Sequence, residues 1–265
     1  MKAMKIVVCI KQVPDTSEVR IDPKTNRLMR EGVPSIINPD DRSAIEVALR
    51  FKETTEAHVT ALSMGPPQAE MALREALALG CDDAVLISGR EFGGSDTYAT
   101  ASILAAAINK IGFDLVLAGR QAIDGDTAQV GPQVAEQLFI PQVTYAGDLQ
   151  FSDDGLVVTR YLDAVEEIVK VKSPCLVTTL AEVAKPRYMT AQGIVDAFEN
   201  DITLFEFEDL KDLLNPDWIG LKGSPTSVVK SFPKEAKGLG VKLSDLSTNE
   251  AVEVIIEKLS ELGIV

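Results

Sequence analysis

The sequence predicts an α/β protein built on a doubly wound, mostly parallel sheet of the Rossmann-like, adenine-nucleotide-binding kind. Three observations predict it. Apolar strand-like runs alternate with helical patterns through the first half of the 265 residues. The runs Lys5 to Ile10 and Phe113 to Ala118 are almost continuously apolar, as strands buried on both faces are. The second of them runs through a glycine-bearing loop, Gly119 to Pro132, into a helical pattern with Val130, Val134 and Leu138 on one face. Repeated βα alternation implies parallel strands with crossover helices.

Taken in order, Lys5 to Ile10 is the first central strand. Val19 to Ile21 and Arg27 to Met29 flank an Asp-Pro-Lys-Thr-Asn turn and read as a small hairpin. Asn38-Pro39-Asp40-Asp41 is a strong helix start, because Asn caps, Pro fits the first helical position and acids suit the first turn. Ile45, Ala48, Leu49 and Lys52 continue that helix. Val59 to Ser63 is a second strand, Gly65-Pro66-Pro67 opens the next helix and Gly80 ends it. Ala84 to Ser88 is a third strand. Gly93-Gly94-Ser95-Asp96 precedes a helix with Thr100, Ile103, Leu104, Ala107 and Ile108 on one face, and Phe113 to Ala118 is the fourth strand.

After Leu138 the pattern changes. Val143 to Phe151, Leu156 to Tyr161, Glu167 to Val171 and Cys175 to Leu180 are strand-like with short turns, and suggest an antiparallel extension of the sheet. Beyond Lys185 the period weakens, and Pro and Gly interrupt the chain repeatedly between Pro216 and Gly240. A long, weakly structured stretch is unusual inside a compact domain. Phe205 to Val241 therefore reads as an arm lying on a partner, followed by an amphipathic helix, Asn249 to Leu262, with Val252, Ile255, Ile256 and Leu259 on one face. The organisation expected is an α/β domain over residues 1–204 and a C-terminal arm and helix over residues 205–265.

Composition narrows the function. The formal net charge of −14 argues against nucleic acid, whose binding needs cations on phosphate, and against an anionic membrane surface. No apolar stretch approaches the ~20 residues of a membrane span, and Ile6 to Ile10 is too short for a signal peptide. Cys9, Cys81 and Cys175 are dispersed without a CxxC, which suits a reducing cytoplasm and argues against an iron–sulfur or zinc site. The only histidine, His58, stands at a strand start, which leaves little scope for a metal cluster or a Ser-His-Asp triad. A nucleophile-plus-base arrangement is missing.

In a doubly wound sheet the carboxyl ends of the strands share one crevice. Cys9-Ile10-Lys11, Asn38 to Asp41, Ser63-Met64-Gly65 and Asp124 to Gln133 are expected to meet there. Singly, Cys9 reads equally as core, Asn38 as a cap and Met64 as packing. Backbone N–H groups at a helix start suit a phosphate, Gly119, Gly125 and Gly131 permit close approach, and Thr127 and Gln129 offer side-chain bonds. The same loop has a plainer reading, in which Asp126 and Gln129 form a capping box and do no more than start a helix. Asp124 and Asp126 would also repel a phosphate unless they point elsewhere. The loop is neither a Walker A sequence nor GxGxxG.

The segments Val-Val-Cys-Ile-Lys-Gln-Val-Pro-Asp-Thr (7–16), Gly-Val-Pro-Ser-Ile-Ile-Asn-Pro-Asp-Asp (32–41), the loop Gly119 to Pro132 and Lys-Pro-Arg-Tyr (185–188) together resemble the beta, or small, subunit of electron-transfer flavoproteins, over nearly the whole chain. The resemblance implies a heterodimer whose large, alpha subunit holds one FAD on a mobile domain. It implies a small-subunit site that holds AMP in ordinary members and a second FAD in electron-bifurcating ones. The loop and the Val13-Pro14-Asp15-Thr16 segment are similar to the bifurcating branch, which implies FAD here, with AMP as the alternative, and NADH as donor.

Carried over by position, Cys9, Asn38, Pro39, Asp40, Asp41, Met64 and the run Asp124, Gly125, Asp126, Thr127, Ala128, Gln129, Val130, Gly131, Pro132 and Gln133 would line the nucleotide site, with Lys11 and Pro14 toward the flavin ring. Ala184 to Ala197, with Pro186, Arg187 and Tyr188, would be the loop that anchors an acyl-CoA, enoyl-CoA or 2-hydroxy-acid dehydrogenase. Gly223, Ser224, Pro225 and Thr226 would belong to the arm embracing the large subunit. The resemblance further implies ferredoxin or flavodoxin as an electron acceptor, a cytoplasmic setting and no catalytic side chain, the flavin carrying the chemistry. Two other readings stand beside it: an AMP-binding structural subunit of a non-bifurcating flavoprotein, and a stress-protein-like nucleotide-binding module, which predicts a homodimer stable without any flavoprotein.

Overall fold

The computed structural model describes residues 3–15, 20–21, 28–29, 34–152, 155–229 and 240–265. In chain order the elements begin β1 (Lys5–Cys9), β2 (Gln12–Pro14), β3 (Arg20–Ile21), β4 (Leu28–Met29), β5 (Ser35–Ile37), α1 (Pro39–Thr55), β6 (His58–Met64), α2 (Glu70–Leu79), β7 (Asp83–Ile87), α3 (Thr97–Ile111), β8 (Leu115–Gly119) and α4 (Val130–Gln137). They continue β9 (Gln142–Ser152), β10 (Gly155–Tyr161), β11 (Glu166–Val171), β12 (Cys175–Thr179), α5 (Ala191–Glu199), β13 (Thr203–Phe205), α6 (Phe207–Leu210), α7 (Gly220–Gly223) and α8 (Thr248–Glu261). The expected hairpin is present as β3 against β4; its outer residues Val19 and Arg27 lie outside the described residues.

The main sheet has the order β11-β10-β9-β12-β8-β1-β6-β7-β13. From β1 the chain winds outward through β6 and β7, then returns to β8 on the other side of β1 and continues to β12. The winding therefore reverses between β1 and β8, where the crevice of such a sheet opens. Side-chain alternation explains the two covered faces. Ile6, Val8, Leu115 and Leu117 pack with Ile45, Leu49 and Leu73 of α1 and α2. Val7, Val116 and Leu176 pack with Ile103 and Ile108 of α3 on the opposite side.

Two strands differ from their expected direction. β12 runs parallel to both β8 and β9, so Cys175 to Leu180 and the start of Val143 to Phe151 belong to the parallel core. Only β10 and β11 add antiparallel partners. The reason lies in burial, since all five residues of β12 are buried, which a strand covered on both faces requires. Gln142 to Ser152 is one long strand whose later part turns outward to pair with β10.

The chain divides into two compact units, Met1–Ser227 and Val228–Val265. The stretch 205–227, assigned to the arm in the sequence, packs within the first unit. β13 pairs in parallel with β7, and Leu210, Leu214 and Ile219 are buried in the α3-side core. Their sequence period is weak because the segment is made of short turns of helix, each burying one or two residues. A helix over Ala191–Glu199 was also not foreseen; Thr190 caps it, accepting from the Gly193 backbone at 2.9 Å. In the second unit residues 230–239 lie outside the described residues, and α8 carries a complete capping box between Ser247 and Glu250. None of its residues is buried, so its apolar stripe, with Ile255 and Ile256, is bare. Among the described residues no helix is long and apolar enough to cross a membrane.

Candidate functional site

The crevice at the winding reversal is a cavity of about 1420 Å³. Its back wall is held by one buried carboxylate. Asp41, in the first turn of α1, accepts from the Lys11 backbone N–H beyond β1 at 2.8 Å and from the Gly119 N–H at the end of β8 at 3.0 Å. It therefore bridges the two strands between which the winding reverses. Burial pushes its pKa up to about 7 against the opposing effect of these hydrogen bonds. Gly119 has no room for a side chain, because a Cβ would sit 2.2 Å from Asp41 Oδ1.

Asn38 does more than begin a helix. It is wholly buried, donates from Nδ2 to the Gln121 carbonyl at 2.8 Å and accepts from the Ile123 N–H at 3.0 Å. Its side chain makes no cap bond to α1, so it fixes the loop after β8 from behind. That loop is stiffened further. Lys11 Nζ lies 2.7 Å from Asp124, the Gln121 amide donates to Asp126, and Asp126 and Ala128 both take left-handed φ values of 52°. A non-glycine residue pays for that conformation with about 1–2 kcal/mol of strain, which surrounding bonds must offset.

The loop delivers the chain to α4, whose N-cap is Gln129. No side chain caps its first turn. The capping-box reading of Asp126 and Gln129 therefore fails: Asp126 is engaged by Gln121, and Gln129 Oε1 accepts instead from the Thr97 hydroxyl at 2.9 Å. Of the two carboxylates expected to repel a phosphate, Asp124 is neutralised by Lys11, whereas Asp126 keeps its charge and is turned to the Gln121 amide. Gly131 permits α4 to sit against β12, because a Cβ there would come within 2.5 Å of Thr178 Cγ2. Gly125 needs no such clearance; nothing lies within 4 Å of a Cβ there.

The structure brings together Cys9, Lys11, Asp41 and Met64 with Gly125 and Thr127 on the cavity wall, and adds Ala128, Gln129, Val130 and Gly131 from the loop and α4. Eight predicted residues do not line it. Asn38, Asp124 and Asp126 hold the loop from behind, and Asp40 lies 3.6 Å from Arg120 Nε. Pro39 only opens α1, Pro14 pairs with Ser35 in β2 and β5, and Pro132 and Gln133 lie in α4 beyond the wall. The buried Gln133 Oε1 has no hydrogen-bond partner. Burial, with the Asp41 carboxylate nearby, lifts the Cys9 thiol to about 12.

Two wall components were missed. Arg120 lines the cavity, and its Nε is buried without a hydrogen-bond partner, 3.6 Å from Asp40. It stands in the Gly119 to Pro132 loop, where a lone cation beside two carboxylates was the available signal. The turn from Ser88 to Thr97 forms the far wall together with Glu206 to Glu208, a juxtaposition that depends on β13 joining β7 and left no mark in the sequence.

The segment carrying Pro186, Arg187, Tyr188 and Ala197 lies on α1 and α2, away from the cavity wall. Arg187 turns inward to Glu46 and Glu53, Ala197 is buried, and Tyr188 is 86 % exposed. Gly223, Ser224, Pro225 and Thr226 are tied to their own unit. Ser224 Oγ accepts from the Asp96 N–H at 2.8 Å, and the Thr226 hydroxyl donates to Asp96 at 2.8 Å. Among the described residues no group of His, Cys, Asp and Glu is placed to hold a metal ion.

Fold and crevice define a doubly wound α/β protein whose loop-to-helix junction opens into a large cavity at the winding reversal. The electron transfer flavoprotein domain model matches residues 25–203. The chain is 52% identical over 259 residues to the electron transfer flavoprotein subunit beta of Clostridium acetobutylicum, covering 97% of this chain and 98% of that one. It is 50% identical over 264 residues to the caffeyl-CoA reductase-Etf complex subunit CarD of Acetobacterium woodii, covering 99% and 100%. It is 51% identical over 269 residues to the acryloyl-CoA reductase electron transfer subunit gamma of Anaerotignum propionicum, again covering 99% and 100%. The chain belongs to the electron transfer flavoprotein family, as a beta, or small, subunit.

Proposed function

We propose that the crevice holds FAD, and that the protein acts with a large alpha subunit as an NADH-dependent, electron-bifurcating flavoprotein. The observation that carries this reading is the uncapped start of α4, where Val130 and Gly131 offer N–H groups to a cavity of about 1420 Å³ from a loop whose carboxylates are held by Lys11 and Gln121. Unpaired N–H groups at a helix start suit an anion, and Arg120 adds a cation whose Nε lacks a hydrogen-bond partner. The cavity exceeds the ~300–1,000 Å³ common for one small molecule, which leaves space for a dinucleotide beside a second ligand. Val130, Val134, Leu104 and Leu176 supply apolar wall for flat rings.

A flavin bound there would supply uptake of an electron pair from NADH and its release one electron at a time, to ferredoxin or flavodoxin and to the large subunit. The chain's own residues bind and orient. The α4 start and Arg120 hold phosphate, Asn38 and Asp41 keep the loop at its distance, and Lys11, neutralised by Asp124, sits at the mouth. No side chain is required as acid or base. The names of the Acetobacterium and Anaerotignum relatives, a caffeyl-CoA reductase complex subunit and an acryloyl-CoA reductase electron transfer subunit, favour this reading over an AMP-holding scaffold. We further assign residues 184–199 to docking of a flavin dehydrogenase and residues 228–265 to the large subunit. The family membership sets aside a stress-protein-like module.

The test is NADH oxidation by the heterodimer with ferredoxin and a partner dehydrogenase. Ferredoxin reduction that requires the dehydrogenase's acceptor to be present supports the proposal. NADH left unoxidised, with electrons entering only from the dehydrogenase, overturns it in favour of the AMP-holding subunit.

A further inference from the structure

Residues 184–199 are attached to the domain by charge and expose apolar surface. Glu46, on α1, is 5 % exposed. It accepts from the Arg187 Nε at 2.8 Å and from the Arg187 backbone N–H at 3.1 Å through one oxygen, and from Arg187 Nη2 at 3.3 Å and Arg50 Nε at 2.9 Å through the other. Arg187 Nη1 reaches Glu53, two turns along the same helix, at 2.7 Å. Each guanidinium nitrogen of Arg187 thus has a carboxylate partner on α1. At the other end of the segment Arg74 donates to the Ala197 carbonyl at 2.6 Å, and α5 sits so close to α2 that a Cβ on Gly193 would fall 2.7 Å from the Ala78 carbonyl oxygen. Along the segment Tyr188, Val195 and Phe198 are 86 %, 52 % and 61 % exposed. Phe198 carries the Arg74 guanidinium 5.7 Å from its ring centre, and Tyr188 and Val195 are left without cover; exposed large apolar groups on a pinned segment mark an interaction surface.

We infer that Arg187 is a latch rather than a contact: its bonds to Glu46 and Glu53 set the segment against α1, and Tyr188 with the outer face of α5 meets the dehydrogenase. The inference rests on the docking assignment made above for residues 184–199. It assigns Arg187 and Glu46 as positioning residues. Bidentate arginine–carboxylate geometry fixes orientation as well as distance, and a pinned surface loses less freedom when a partner lands on it. Desolvation tends to raise the Glu46 pKa, but the hydrogen bonds from Arg187 and Arg50 outweigh it and hold the carboxyl below its usual range, so the latch is charged at neutral pH.

The experiment compares Arg187→Gln, Glu46→Gln, the double variant, Arg187→Lys and Tyr188→Ala in the full heterodimer, reading the KM for the heterodimer in dehydrogenase turnover, kcat, and hydrogen exchange over residues 184–199. A latch predicts that either Gln variant raises KM about five- to tenfold with kcat little changed, and that the double variant is no worse than one of them. Exchange over the segment speeds up in these three, Arg187→Lys recovers part of the KM, and Tyr188→Ala raises KM without faster exchange. If Arg187→Gln raises KM while Glu46→Gln does not, Arg187 touches the partner and the latch is overturned. If Tyr188→Ala alone raises KM, the latch fails and the docking assignment survives. If KM is unchanged in every variant, Tyr188→Ala included, the docking assignment falls and the inference with it.

Discussion

The loop after β8 and the segment before α5 are both held by α1, yet they are built in opposite ways. Residues 120–129 are pinned from behind by neutral side-chain bonds from Asn38 and by the hydrogen-bonded carboxylates Asp124 and Asp126, so the start of α4 stays uncapped on the inner side, with Arg120, paired to Asp40, in the same wall. Residues 184–199 spend their charge on the anchor, Arg187 on Glu46 and Glu53, and leave apolar groups free on the outer side. A surface kept polar and concave suits a phosphate-bearing ligand. A surface that keeps apolar groups exposed suits a protein. One helix supports both, its first turn at the crevice and its middle at the docking segment.

Asn38→Ala is the strongest way to break this division. It removes two bonds from a wholly buried site and leaves the Gln121 carbonyl and the Ile123 N–H without partners, at a cost of roughly 2–4 kcal/mol. Purified heterodimer is expected to lose most of the nucleotide of the small subunit while the KM for the dehydrogenase stays near the wild-type value. A raised KM with full nucleotide content would show that the two regions are not separable.

Gly131→Ala is expected to cost about 1–3 kcal/mol, because the new methyl meets Thr178 Cγ2 and α4 must shift. Nucleotide retention in dialysis reads the displaced helix start. Unchanged retention would remove the α4 N-terminus from the binding site.

Asp41 sharpens the comparison through pH. Its carboxyl titrates near 7 in the folded protein, well above an unfolded aspartate. Folding therefore takes up a proton between pH 4 and 7, and stability falls as pH rises through that window, by on the order of 1 kcal/mol per pH unit at most. Thermal melts of the wild type and Asp41→Asn across that range check the sign. The variant should show a flatter profile, and an equal slope in both would place the titration elsewhere. Ile256→Asp, on the bare face of α8, is the mildest for the isolated chain, within about 0.5 kcal/mol. It should nonetheless weaken association with the large subunit in ultracentrifugation, and an unaffected heterodimer would detach α8 from that interface.

Much of this was legible in the sequence because local rules and tertiary demands agreed. The apolar runs of β1 and β8, the Pro39-Asp40-Asp41 start of α1 and the Gly80 stop of α2 each have a local cause. Asn38 showed as a cap, but its actual bonds reach residues 121 and 123, and no spacing rule reports a contact across that separation. β12 and β9 looked antiparallel because their connections are short in sequence, whereas direction is decided by which neighbour buries both faces. The stretch 205–227 looked like an arm because its core residues, Leu210, Leu214 and Ile219, fall on different short helical turns rather than on one period. Arg187 was visible in Lys-Pro-Arg-Tyr, while its inward direction depended on Glu46 being buried one element away.

The most direct measurement of the central claim is the nucleotide content of the purified heterodimer, released by denaturation and separated as FAD and AMP. FAD from both subunits and no AMP is the expected result. FAD from the large subunit alone, with AMP in equal amount, would contradict it and leave the crevice described here as the seat of a structural mononucleotide.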